Sequence, residues 1–138
     1  AGKAFANSPV AAVHALAYPI GGTFHISHGL SNSLVLPYVL RFNSVDVKAA
    51  KNYAELAPYV FPKLDINKGT QAVCAEFIDK LEDLSKRLGL PQKLREVDIP
   101  KDACEKMASD AMKQTRLLVN NPREVTEVDA LNIYQSAW

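Results

Sequence analysis

The sequence of 138 residues predicts a single all-α domain, bundle-like in architecture and without a significant sheet. Apolar residues recur at three- and four-residue spacings through most of the chain, which is the period of one helical face. Segments with this period begin at capping residues and end at glycine or proline. No segment alternates apolar and polar residues between hairpin turns, so we expect no strands.

The first helix is expected to begin at Ser8-Pro9, because serine is a favoured N-cap and proline at the first helical position loses no hydrogen bond. Pro19 and the pair Gly21-Gly22 are expected to end this helix in a turn. A second helix is predicted from about Ser27, with a kink or a break at Pro37. The turn would place the two helices side by side.

The middle of the chain predicts two further helices. Ser44 can cap the third, which runs to about Tyr59. The fourth, over residues 68–88, is the most clearly amphipathic, and Gly89 is expected to stop it. Its apolar side chains are expected to face the core: Val73, Phe77, Leu81, Leu84 and Leu88.

The last third predicts a short helix or turn over residues 91–97 and a helix from Pro100 to about Val119. Thr126 and Asp129 have the spacing of a capping box in its acidic form. This pattern predicts a final helix that runs to Trp138.

Composition excludes several classes of partner. Lys and Arg total 16 against 15 Asp and Glu, so no basic footprint for nucleic acid is expected. No run reaches the roughly 18 apolar residues of a membrane span, so no membrane partner is expected. Cys74 and Cys104 form no CxxC pair, which suits a reducing compartment and predicts a cytoplasmic location.

Three histidines, His14, His25 and His28, lie close together in the sequence. His14 and His28 fall on either side of the predicted turn, so their imidazoles could meet, and imidazole is a common ligand of zinc and iron. The spacing also allows a hydrogen-bonded core histidine, a pair of His25 with His28, or a site made of all three. A catalytic metal usually has three protein ligands, and a third is not evident in the sequence if His14 and His28 are the first two.

Three stretches resemble the iron-containing (group III) alcohol dehydrogenases. The first is HALAYPIGG from His14, and the second is HGLSN from His28 with LPYVLRFN from Leu36. The third is the closing segment, which begins with NPR at Asn121 and ends with AW at Trp138. The resemblance covers essentially the whole chain and is most specific around the histidines.

The resemblance implies that His14 and His28 ligate a divalent metal, Fe²⁺ or alternatively Zn²⁺. In the family, an aspartate and a histidine on an earlier helix complete the site in an Asp-x-x-x-His pattern, which this sequence lacks. NAD or NADP binds mainly to an N-terminal dinucleotide-binding domain, whose Gly-rich turn is also missing. We therefore expect residues 1–138 to be a fragment, the C-terminal part of the helical metal-binding domain, inactive alone.

The sequence departs from the family at Tyr18, where many members have a second histidine. A phenol ordinarily has a pKa near 10, against about 6.5 for an imidazole, so a histidine proton relay cannot be carried over. Tyr18 is therefore either a residue on the cofactor side of the cleft or a packing residue between helices.

For the intact protein, the resemblance implies NAD(P)-dependent interconversion of a small alcohol and its aldehyde or ketone, with the metal polarising the substrate oxygen. The small alcohol or aldehyde is the expected partner, and a homodimer is an assembly that the sequence leaves open. The alternatives are a non-catalytic helical interaction module, a zinc-dependent relative resembling glycerol dehydrogenase, and a metal-independent reductase.

Overall fold

The computed structural model describes Lys3 and residues 10–138, and the predicted start of the first helix at Ser8-Pro9 lies outside them. Within the described residues all regular structure is helical, which confirms the predicted all-α class. No helix in this part of the chain combines the length and the apolar character that crossing a membrane requires.

Seven α-helices and one 3-10 helix follow one another in the described part of the chain. They are α1 (Ala12–Phe24), α2 (His28–Asn43), α3 (Val47–Val60), α4 (Thr70–Arg87), the 3-10 helix (Leu94–Val97), α5 (Ala103–Ala111), α6 (Thr115–Leu118) and α7 (Glu127–Ala137). Helix α1 packs on α2, α5 and α6, while α7 packs on α2 and α5. Helix α2 also contacts α4, which pairs with α3.

The buried residues form one large cluster and two smaller ones. The large cluster joins α1, α2, α5 and α7, with Leu16, Ile20, Leu34 and Tyr134 among its fully buried side chains. The smaller clusters lie between α3 and α4, around Phe77 and Ile78 respectively. Helix α2 therefore connects the main core to the α3–α4 pair.

Helix α1 does not end where the sequence predicts. It continues through Pro19 and Gly21-Gly22 to Phe24, and the chain reverses after His25, whose φ of 56° is left-handed. The predicted turn at Gly21-Gly22 is wrong because Ala15, Leu16 and Ile20 are fully buried along this helix. Their packing outweighs the poor helix propensity of glycine and proline.

Helix α2 begins at His28 after Ser27, as predicted, and runs without a break through Pro37. Core residues on both sides of Pro37 anchor the helix and compensate for its missing backbone donor. The N-cap of α3 is Asp46, whose carboxylate accepts from the Ala49 N–H at 2.8 Å. The predicted cap at Ser44 is wrong, since Ser44 follows the last residue of α2.

Helix α4 is amphipathic, but only its first half is buried as predicted. Val73 and Phe77 lie in the core, whereas Leu84 is 36% exposed and Leu88 is 68% exposed. The predicted inward orientation is wrong for these two leucines, because nothing among the described residues covers that end of the apolar stripe. Periodicity identifies the apolar side of a helix and does not supply the element that packs against it.

The stop signal of α4 acts as predicted. Gly89 has a φ of 75°, and its N–H donates to the carbonyl of Lys86 while the Leu90 N–H donates to that of Ser85. This pair of bonds is a Schellman motif, which favours glycine at the left-handed position.

The predicted helix from Pro100 to Val119 is two helices. Gln114 has a non-helical ψ of 48° and separates α5 from α6, which packs on α1. The capping box that begins α7 is confirmed. The Asp129 N–H donates to Thr126 Oγ1 at 3.2 Å, and the Thr126 N–H donates to Asp129 Oδ2 at 3.0 Å.

Candidate metal centre

His14 and His28 meet across the chain reversal between α1 and α2. Their ring centroids are 5.2 Å apart and the rings are inclined at 55°. His14 is half-buried on α1, and His28 is exposed as the first residue of α2. The geometry thus brings together the two histidines that the family resemblance implies as ligands.

This spacing fits two ligands of one ion. Imidazoles that share a tetrahedral ion through metal–nitrogen bonds of about 2.0–2.1 Å hold their ring centroids roughly 5 Å apart. Imidazole nitrogens suit both iron and zinc. The two side chains therefore offer two of the three protein ligands that a catalytic metal usually has.

The pKa of His14 is lowered from its ordinary value, first by burial and then by repulsion from a charged His28. Burial disfavours the imidazolium because the charged ring loses hydration. A metal binds only the neutral ring, so the lowered pKa favours the form of His14 that can act as a ligand.

Asn32 holds the other histidine from one helical turn away. Its Nδ2 donates to the carbonyl oxygen of His28 at 2.8 Å and lies 3.2 Å from His28 Nε2. Asn32 Oδ1, however, is buried without a hydrogen-bond partner, the one such side-chain atom among the residues described. An unsatisfied buried oxygen costs about 1–3 kcal/mol, and an unpaired group beside a candidate site calls for a functional explanation.

Asn32 is a site residue that the sequence reasoning did not assign. Its spacing of four residues from His28 was the available signal, since side chains at i and i+4 lie on one face of a helix.

Tyr18 lies on the same face, one turn after His14. Its ring centroid is 6.4 Å from that of His28, and the residue is 50% exposed. Among the described residues, Tyr18 is therefore not covered by a second helix, and it borders the histidine pair.

His25 does not join the pair. It is exposed and ends α1 in the left-handed conformation. Over the described residues, no three side chains of His, Cys, Asp or Glu lie close enough to hold a metal ion. The structure therefore does not form the site made of all three histidines.

The cysteines do not supply reactive groups. Cys74 and Cys104 are both buried, and burial raises the pKa of each thiol. A raised pKa disfavours the thiolate, which is the nucleophilic form.

The motif Asn121-Pro122-Arg123 acts at a distance from the histidines. Asn121 and Asn43 exchange hydrogen bonds through their side-chain amides, and Arg123 donates to the carbonyl of Phe42 at 3.0 Å. The Arg123 guanidinium also lies 3.9 Å from the centroid of the Phe42 ring. This motif therefore fastens the C-terminal end of α2 to the segment before α7.

Known proteins are similar to this chain in both sequence and fold. A family model described as "Fe-containing alcohol dehydrogenase family, C-terminal" matches residues 1–138. Long-chain-alcohol dehydrogenase 1 of Geobacillus thermodenitrificans is 39% identical over 141 residues, which cover all of this chain and 34% of that protein. Lactaldehyde reductase of Escherichia coli is 30% identical over 138 residues, which cover all of this chain and 35% of that protein.

A solved structure agrees with these relatives. The alcohol dehydrogenase from Oenococcus oeni superposes with a TM-score of 0.89 at 28% identity, over 99% of this chain and 35% of that chain. The present chain thus spans about a third of the length of the proteins that it matches.

Proposed function

This chain belongs to the Fe-containing alcohol dehydrogenase family, as its C-terminal part, and on that premise we propose that it is the metal-binding helical domain of an NAD(P)-dependent alcohol dehydrogenase. The intact protein would interconvert a small alcohol and its aldehyde or ketone. The observation that carries the proposal is the pairing of His14 and His28 at 5.2 Å between ring centroids. Relatives named for long-chain alcohols and for lactaldehyde support the reaction class and leave the alcohol open.

His14 and His28 would hold the metal, with Fe²⁺ as the proposed ion and Zn²⁺ as the alternative. When bound, the metal supplies Lewis-acid polarisation of the substrate oxygen. Partial burial favours the neutral form of His14, and Asn32 donates to the backbone carbonyl of His28 from the neighbouring turn. Because a catalytic site takes three protein ligands and one open position, at least one ligand would come from outside residues 1–138.

NAD or NADP would bind mainly to another domain, with Tyr18 facing the cofactor from this one. The phenol is half exposed beside His28, so its hydroxyl is free to donate to a cofactor or substrate atom in the cleft. The 138-residue chain alone would then bind metal weakly and turn over no alcohol.

The test is metal content and alcohol oxidation in the full-length protein. His14→Ala and His28→Ala are each expected to remove most of the bound metal, measured by plasma mass spectrometry, together with NAD(P)-dependent turnover. His25→Ala is the matched control, since His25 lies outside the pair, and it should keep the metal. Circular dichroism establishes that all three variants are folded.

Two results would contradict the proposal. Turnover that survives complete removal of metal by a chelator would favour a metal-independent reductase. Absence of both stoichiometric metal and NAD(P)-dependent turnover across a series of alcohols would favour a non-catalytic interaction module.

A further inference from the structure

The outer face of α3 is exposed at every turn of the helix. Four side chains on this face follow one another at intervals of four residues and form a single ridge, because residues i and i+4 lie on the same side of a helix. We call it the α3 ridge, and its members are Val47, Lys51, Glu55 and Tyr59. Among the described helices α3 packs extensively only on α4, so the ridge is left facing solvent.

The two ends of the α3 ridge are apolar. Val47 is 76% exposed and Tyr59 is 85% exposed. Leu56 and Val60 are exposed beside Tyr59, and Ile66 lines with Tyr59 a surface hollow of about 570 Å³. A contiguous exposed apolar patch usually marks an interaction site, and tyrosine is enriched among the residues that contribute most to binding at interfaces.

The middle of the α3 ridge is charged. Lys51 Nζ lies 3.8 Å from Glu55 Oε1, a long contact between side chains that are 68% and 65% exposed. Exposed pairs of this kind contribute little to the stability of a chain. Both groups can therefore exchange this contact for opposite charges on another molecule at little cost.

The order of residues along the α3 ridge is complementary to its own reversal. From Val47 to Tyr59 the ridge is apolar, cationic, anionic and apolar. A second copy laid in the opposite direction brings Val47 to Tyr59 and Lys51 to Glu55, each twice. Self-complementarity of one patch is the condition for an isologous two-fold contact, which is the commonest symmetry of protein oligomers.

We propose that the α3 ridge is the centre of a two-fold interface with a second copy of this protein, in which the two α3 helices run antiparallel. Charge order favours a second copy as the occupant, because a different partner would have to carry the reversed pattern independently. Helices α1 and α2 present the histidine pair, and α3 packs extensively on neither of them. The inference therefore does not depend on the proposed function.

The test is the mass of the full-length protein in solution, measured by sedimentation velocity over a range of protein concentrations. Lys51→Glu and Glu55→Lys each bring like charges together across the proposed interface. Each substitution is expected to raise the dissociation constant at least about tenfold. Lys51→Glu combined with Glu55→Lys should restore association, because the reversed ridge is again complementary to itself.

Arg87→Glu is the matched control. Arg87 forms an exposed ion pair with Asp83 one turn away on α4, with Nε and Oδ2 3.1 Å apart. The substitution changes the net charge by the same amount as Lys51→Glu and should leave association unchanged. Circular dichroism establishes that all variants are folded.

Three results would overturn the proposal. The first is an unsubstituted protein that stays monomeric at every concentration. The second is association that both single charge reversals leave unchanged, or that the double variant does not regain. The third is a single reversal that lowers Tm without changing the mass, since this would show that another part of the same polypeptide covers the α3 ridge.

A second pair of variants tests the apolar ends of the ridge. Tyr59→Ser removes the aromatic ring and should raise the dissociation constant at least about tenfold. Tyr59→Phe keeps the ring and should associate like the unsubstituted protein. Equal association of the two variants would also contradict the proposed interface.

Discussion

The hydroxyl of Tyr134 donates a hydrogen bond of 2.6 Å to the carbonyl oxygen of Leu16, 118 residues earlier in the chain. Tyr134 is fully buried in the main core, and Leu16 follows His14 by two residues on α1. The last helix of the chain thus holds the helix that presents the first candidate ligand. A substitution that destabilises α7 should therefore also disturb the candidate metal centre through α1.

This contact predicts an alkaline loss of stability. The pKa of Tyr134 is raised, mainly by burial and further by the nearby Cys104 and Asp110. Above a pH of about 10 the unfolded chain releases this proton while the folded chain retains it, so the free energy of unfolding falls as pH rises. Urea unfolding from about pH 8 to about pH 11 should show this slope, and Tyr134→Phe should reduce it.

Tyr134→Phe should also lower the free energy of unfolding by about 0.5–1.5 kcal/mol at neutral pH, the net value of one hydrogen bond. Tyr59→Phe is the control, because Tyr59 is 85% exposed. Burial also raises the pKa of Tyr53, so some alkaline slope should remain in Tyr134→Phe. An unchanged slope in Tyr134→Phe would contradict the assignment to Tyr134.

The two adjacent glycines of α1 should respond differently to alanine. A Cβ on Gly21 would lie 3.3 Å from the carbonyl oxygen of Ile26, whereas one on Gly22 would meet nothing within 4 Å. Gly22→Ala should stabilise the protein by up to about 1 kcal/mol through helix propensity. Gly21→Ala should lose most or all of that gain because the reversing chain must shift. Equal midpoints in urea for the two variants would show that the reversal is not closely packed against Gly21.

The amide pair of Asn43 and Asn121 should contribute measurably to the free energy of unfolding. Asn43 is 3% exposed, and Asn121 Nδ2 donates to its Oδ1 at 2.7 Å. Asn121→Ala leaves that oxygen buried and unpaired, so the free energy of unfolding should fall by about 1–3 kcal/mol. The exposed Asn52 provides a control variant, Asn52→Ala, with little effect.

A double-variant cycle isolates the pair. Asn43→Ala combined with Asn121→Ala should cost less than the sum of the single variants, since each single change leaves the side-chain oxygen of the other amide without its partner. Strict additivity would mean that the two amides are not coupled.

The variant Asn32→Ala should affect the stability of the protein and its affinity for metal differently. Asn32→Ala removes the buried oxygen that has no partner, so the full-length protein should be as stable as before or more stable. The same change removes the contact of Asn32 Nδ2 with His28 Nε2 at 3.2 Å, so the affinity of the site for metal should change. Competition with a calibrated chelator measures the affinity. A variant that loses stability and keeps its metal affinity would show that Asn32 is structural.

Local signals account for the parts of the fold that the sequence predicts correctly. Gly89 stops α4, and Thr126 with Asp129 begins α7, because each motif satisfies backbone groups within a few residues of itself. Ser27 precedes α2 as predicted, although its side chain makes no cap hydrogen bond. The all-α class follows from the same local rules together with apolar periodicity. The sequence also indicates that His14 and His28 could meet across a turn, although the turn lies after His25 and not at Gly21-Gly22.

The errors occur where distant residues compete with local preference. Gly21-Gly22 predicts a turn. Helix α1 nevertheless continues through these glycines because its buried face packs on α2 and α5. The helical period predicts that Leu84 and Leu88 lie in the core. They are exposed because no element among the described residues packs against this end of the apolar stripe. Neither outcome is encoded within a few residues of the position concerned.

Helix type and several helix ends thus follow from residue order, since hydrogen bonding and side-chain period act over one or two turns. The choice of His14 and His28 as candidate ligands rests on the resemblance of their motifs to the family. The position of the reversal at His25, the support of α1 by Tyr134 and the exposure of Leu84 and Leu88 depend on contacts between segments far apart in the chain. Such contacts are set by the packing of whole helices, whose combined burial exceeds the preference of any single residue.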